Sequence, residues 1–135
     1  ASRDGFTPQA FHAHCDGRAQ TLTVAKSSGG VLLGGYSGSA AWSGAGGYAH
    51  SLDAFLFRLA GPGVEAPTKH PVANHACAIY CVSHSGPAFG ELGNDLFIQN
   101  SLMTCRWNSY SPADGGGRNL PTLAELASVG VSEWE

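Results

Sequence analysis

The apolar and polar positions of the chain fall into short segments punctuated by glycine and proline. Thr21-Leu22-Thr23-Val24 alternates polar and apolar, the pattern of a half-buried strand. Val31–Leu33 and Ala54–Leu59 are apolar and β-prone. The second, with Phe55 and Phe57, predicts a strand buried on both faces for most of its length. Further strands are predicted over Cys77–Val82, Asp95–Gln99 and Met103–Trp107, with a last one at Val131–Glu135. One helix is well signalled. Thr7 is an N-cap followed by Pro8 at the first helical position, Phe11 and Cys15 then share a face, and Asp16-Gly17 ends the segment as a turn. Pro121–Val129 reads as a second short helix or as a packed irregular segment, since Leu120, Leu123, Leu126 and Val129 fit either.

The connections are equally legible. Ser27-Ser28-Gly29-Gly30 is a hairpin-type turn, and residues 61–71, with three prolines and two glycines, read as a surface loop. Ser83–Gly93 and Ser109–Asn119 are loops, the latter holding three consecutive glycines. Between Val31–Leu33 and Ala54–Leu59 lies a run of Gly, Ser and Ala carrying Tyr36, Trp42 and Tyr48. It has too few aliphatic side chains to build a core and reads as a lid held down by its aromatic rings. Many short strands, glycine-rich turns and one or two short helices predict a mainly β fold, a β-sandwich of two antiparallel sheets. At 135 residues this is one domain, 1–135, with a short lead-in over residues 1–7.

Composition narrows the functional classes. Charged residues are 13% of the chain against 43% hydrophobic, which argues against disorder. The net charge is −3 and the basic residues are scattered singly, so nucleic acid is not an expected partner. No segment has the length of an apolar membrane span, so membrane insertion is not expected, and residues 1–30 lack a signal-peptide pattern. The compartment stays open. Four cysteines (Cys15, Cys77, Cys81, Cys105) allow three pairings if oxidised, or sit as buried thiols in strands.

Chemistry-bearing residues cluster in the second half. His75, Cys77, Cys81 and His84 have the ligand types of zinc, but Cys77 and Cys81 in one strand stand about 13 Å apart, from roughly 3.3 Å per residue. That span excludes both a shared tetrahedral ion and a Cys77–Cys81 bridge, and leaves a disulfide from Cys15 or Cys105 to one of the pair. No metal is therefore expected. Ser83, Ser85 or Cys81 with His84 or His75, and Asp53, Asp95 or Glu91, supply the residue types of a hydrolase, without a nucleophile-elbow motif. Glu91, Asn94, Asp95 and Asp53 offer oxygen ligands to calcium only if they converge. The simpler reading has Asp95 bonding loop backbone beside permissive Gly86 and Gly90. Exposed rings among Tyr36, Trp42, Tyr48 and Trp107 would suit a lectin-like sugar site.

Seven stretches in order resemble the TLDc domain family: Phe11–Thr23, Gly34-Gly35-Tyr36 with Ala41-Trp42, Asp53–Leu59, Ala78–Cys81, Gly86–Gly90, Asn94–Ile98 and Ser132–Glu135. The resemblance implies a two-sheet sandwich and a non-catalytic interaction module, associated with oxidative-stress resistance or regulation of the vacuolar proton pump. It assigns Tyr36 and Trp42 to the core, with Phe55, Phe57, Gly86, Phe89 and Gly90 as structural residues. A protein partner met through loops 36–50, 83–94 and 108–119 is then expected, with Tyr48, Trp107, His84, Glu91, Asn94 and Asp95 as contacts and no cofactor. The chain departs from the family pattern in its shorter N-terminal part, in stopping at Glu135, and in Glu91-Leu92, where small residues are usual. A cytoplasmic site follows if it is typical of the family, and a secreted one if the cysteines are bonded.

Overall fold

A computed structural model describes residues 5, 7–91, 95–99, 102–105, 110 and 129–134. Among these, the order is α1 (Pro8–Cys15), β1 (Leu22–Ser27), β2 (Leu32–Tyr36), β3 (Ala45–Ala49), β4 (Phe55–Ala60), β5 (Thr68–Pro71), a 3-10 turn (His75–Cys77), β6 (Ile79–Val82), β7 (Ala88–Phe89), β8 (Leu96–Gln99), β9 (Leu102–Cys105) and β10 (Val129–Trp134). All the pairings between strands are antiparallel. One sheet runs β10-β1-β2-β4-β5 and the other β3-β6-β7-β8-β9-β10. Strand β10 is shared, pairing β9 through Val129 and Gly130 and β1 through Val131 to Trp134. The expected mainly β architecture of two antiparallel sheets is the one observed.

The sheets meet over a single core. Ala25, Leu33 and Leu56 from the first sheet join Ile79, Cys81, Phe89, Leu96 and Ile98 from the second in one buried cluster. At Gly35 a Cβ would lie 2.6 Å from the tip of the Phe89 ring, so only glycine admits that ring against β2. Trp42, 1% exposed, plugs one end of the sandwich. Its ring meets Phe11 at 5.0 Å and Phe89 at 5.4 Å, both edge-to-face, and its Nε1 donates to the Thr21 hydroxyl at 2.6 Å. Helix α1 forms as its cap signals indicate, with the Thr7 hydroxyl accepting from the Ala10 N–H.

Several expectations need correction. The glycine-rich lid contains a strand, β3, and the loop read over residues 61–71 contains β5. Neither has apolar alternation to announce it, since β3 is Ala-Gly-Gly-Tyr-Ala and β5 is Thr-Lys-His-Pro, and both are edge strands held by backbone pairing. Ala88–Phe89 is a strand within the loop expected over Ser83–Gly93. Cys77 lies in the 3-10 turn and not in a strand, which removes the basis of the 13 Å separation. Val129 belongs to β10, not to a helix. Tyr36 is not a core residue: it is half-buried on the outer face of β2, with its ring 5.1 Å from Phe55. Cys15, Cys77 and Cys81 are free thiols, so the disulfide expected from Cys15 or Cys105 to Cys77 or Cys81 is not formed. The Ser109–Asn119 loop, apart from Tyr110, and the helix over 121–128 lie outside the described residues.

Candidate functional site

Two places bring functional side chains together. The first lies under α1. His12 and Asp16 stand one helical turn apart, and His12 Nδ1 is 2.7 Å from the Asp16 carboxylate. The other ring nitrogen, Nε2, reaches the carbonyl oxygens of Val82 at 2.9 Å and Ser85 at 3.1 Å. Carbonyls only accept, so Nε2 donates there and has no lone pair for a proton from a nucleophile. The pair looks like half of a hydrolase triad, but its geometry pins the helix to the turn after β6.

Four of the residues expected for nucleophilic chemistry are spent on the fold, while Ser83, His84, His75 and Glu91 are exposed. The Ser85 hydroxyl donates to the Val82 carbonyl at 3.3 Å. Burial pushes the Cys81 thiol up, against the lowering effect of Ser43, so it carries less of the reactive thiolate than a free cysteine. Asp53 accepts from the Ser39 N–H at 2.9 Å and from the Ser51 hydroxyl at 2.8 Å, and these bonds hold its carboxyl below the usual range. Asp95 is fully buried: its carboxylate accepts from the Tyr110 N–H at 3.3 Å and lies against Gly90, whose φ of +83° is in the left-handed region. A Cβ at Gly90 would collide with that carboxylate. Asp95 therefore stabilises the turn and offers no surface to a partner. Gly86 is buried against the Ile98 carbonyl, and Phe89 sits at the centre of the core. No group of three His, Cys, Asp or Glu side chains among the described residues is placed to hold a metal ion.

The second place is the outer surface at the edge of the second sheet. Strand β3 ends the strand order and pairs with β6, setting Tyr48 opposite Tyr80. Directly opposed residues of an antiparallel pair project from the same face, and these two rings lie 5.2 Å apart with a tilt of 39°. Tyr48 is 42% exposed and Tyr80 is half-buried. His50 follows β3 and His75 opens the 3-10 turn, with rings 6.4 Å apart. Cys77 and Glu91 adjoin this region. Burial, then the Glu91 charge, push the Cys77 thiol up. His84 and Glu91 are exposed, in the turn after β6 and just after β7.

Of the expected contacts, Tyr48, His84 and Glu91 are at the surface and Asp95 is not, while Trp107 and Asn94 lie outside the described residues. Sequence reasoning missed Tyr80, His50, His12 and Asp16. The i,i+4 spacing of His12 and Asp16 on a predicted helix was the one signal available for the last two. In comparison with known proteins, a family model described as the TLDc domain matches residues 1–127. No curated protein and no solved structure gives a significant match.

Proposed function

The chain belongs to the TLDc domain family, and from that premise we propose that it is a TLDc-type interaction module meeting a protein partner along the Tyr48 edge. One observation carries this reading: among the residues whose side chains are described, Tyr48 is the exposed Phe, Tyr or Trp, the others being half-buried or buried. Tyrosine is over-represented among residues that dominate binding energy, because it supplies large contact area for two rotatable bonds. Recognition would run through side chains. Gly46 and Gly47 have φ of +90° and +88°, and the β3–β6 register shifts between Ala45 and Tyr48, a bulge that blunts the edge against addition of another strand. The family's association with oxidative-stress resistance and with the vacuolar proton pump suggests where that partner is to be sought.

A photo-crosslinking residue in place of the exposed His50, two positions from Tyr48 in the full chain, tests the reading. Partner capture is expected there, and Tyr48→Ala should weaken capture by roughly tenfold or more, the scale of an interface tyrosine worth about 2 kcal/mol. Undiminished capture by the folded variant rejects the assignment. A second reading, a lectin-like sugar site, draws on the same exposed ring edged by the His50 and His75 imidazoles. Binding on a glycan array that vanishes in Tyr48→Ala, without protein capture, would favour it.

A further inference from the structure

Arg58 interrupts the apolar run of β4 and turns inward. It stands opposite Leu33 on β2 and opposite Thr68 on β5, and Leu33 is a core residue, so the Arg58 side chain shares the inner face of the first sheet. It is only 9% exposed, and its Nε is a sealed nitrogen without a hydrogen-bond partner. Among the described residues no carboxylate, carbonyl or hydroxyl bonds this guanidinium. A guanidinium keeps its charge at any physiological pH, and a buried charge is normally paired. The β5 neighbours on that face are polar: His70, buried opposite Leu56 of β4, has its Nε2 3.1 Å from the Thr68 hydroxyl.

The position is also a rim. Leu32 pairs with Ala60 and Leu33 with Arg58, so Leu59 is an extra residue that ends regular pairing one step after the arginine. Leu59 and Ala60 are exposed, which makes Arg58 the last inward residue of β4 before the strand leaves the sandwich. From this geometry we infer that the Arg58–Thr68–His70 corner is a binding site for an oxyanion, a carboxylate or phosphate group from outside the chain. The anion approaches the terminal nitrogens of the fork from the open end, with the Thr68 hydroxyl at the side as a second donor. The site is separate from the Tyr48 edge, and neither reading depends on the other.

Titrating the full chain with sodium phosphate, and separately with sodium acetate, against chloride at matched ionic strength tests this. The first readout is the arginine side-chain Nε–H resonances, with the Arg58 signal assigned by its loss in Arg58→Lys. The second is the unfolding midpoint. A saturable shift of the Arg58 resonance and a rise in midpoint, neither produced by chloride, are expected, and the midpoint rise should shrink in Arg58→Lys. A response to both anions identifies a general oxyanion site that a partner's carboxylate can fill. A response to phosphate alone identifies a phosphate ligand. No shift of the Arg58 resonance beyond that in chloride overturns the assignment, as does a midpoint rise equal in wild type and Arg58→Lys. An Arg18→Lys control, remote on the α1 side, should respond as wild type does. Arg58→Met, if it folds, should lose the phosphate response altogether.

Discussion

Trp42 and Tyr48 sit on the same glycine- and serine-rich segment, yet their surroundings are opposite. Trp42 is 1% exposed, edge-on to Phe11 and Phe89, with its indole N–H bonded to Thr21. Tyr48 is 42% exposed and leans on one other ring, that of Tyr80. The difference lies in what each end of the segment is attached to. The Trp42 end is tied to the stretch after α1: Gly17 N–H donates to the Trp42 carbonyl at 2.9 Å, and Trp42 N–H to the Arg18 carbonyl at 3.2 Å. The Tyr48 end is attached as an edge strand, through a bulged register with β6. One segment thus supplies both an anchor and a display surface, and a ring's place in the sequence does not say which it is.

The largest expected effect is at the anchor. Trp42→Ala removes a fully buried indole that α1, β7 and the residue before β1 all touch, and leaves a cavity between Phe11 and Phe89. A loss of about 3–5 kcal/mol in chemical denaturation is expected. The Thr21 hydroxyl loses its donor partner at the same time. A variant melting like wild type would abolish the contrast, because it would place the indole in solvent.

Legibility in the sequence follows the same division. Helix α1 was readable because its signals are local: Thr7, Pro8 and the Asp16-Gly17 turn act within a few residues. The two-sheet plan was readable from apolar runs, which report burial. What escaped was set by contacts distant in the chain. Strand β3 exists because Ile79–Val82 offers it a ladder, and Tyr36 points outward because Gly35 on the same strand faces Phe89 and Leu33 lies in the core. The free state of Cys15, Cys77 and Cys81 could not be read from spacing, since it depends on where each thiol comes to lie. At the candidate site, Tyr48 was legible as an aromatic among small residues, but its partner Tyr80 was hidden inside an apolar run. Arg58 was visible as a charge in such a run, and only the sheet register shows it turned inward.

The cysteines sharpen the contrast by a smaller amount. Cys81 is buried on the anchor side, its Sγ 3.9 Å from the Ala41 carbonyl, whereas Cys77 is half-buried on the tyrosine side. Burial raises both thiols. A raised thiol favours the neutral form in the fold, so its contribution is complete below the unfolded thiol pKa of about 8.5 and is lost as pH climbs through the folded value. Stability measured by denaturant titration should therefore fall above about pH 8.5. Cys81→Ala should be less stable at neutral pH but show a shallower alkaline decline. Alkylation followed by peptide mapping should modify Cys77 before Cys81. The reverse order would show that the anchor side opens more readily than the edge.

The smallest expected change in stability is at the display end, and it decides whether that surface is free to serve binding. Tyr48→Ala removes a ring that touches Tyr80 on one side and solvent on the other. The β3 backbone pairing survives, and the flanking glycines already tolerate open space, since nothing lies within 4 Å of a Cβ built at Gly46 or Gly47. Surface substitutions of this kind usually stay within about 0.5 kcal/mol. Thermal and denaturant unfolding of Tyr48→Ala should accordingly match wild type within that margin. A loss approaching the one expected for Trp42→Ala would make Tyr48 a second anchor. Its exposure would then be a by-product of packing on Tyr80, and the edge would have no claim to be the surface a partner meets.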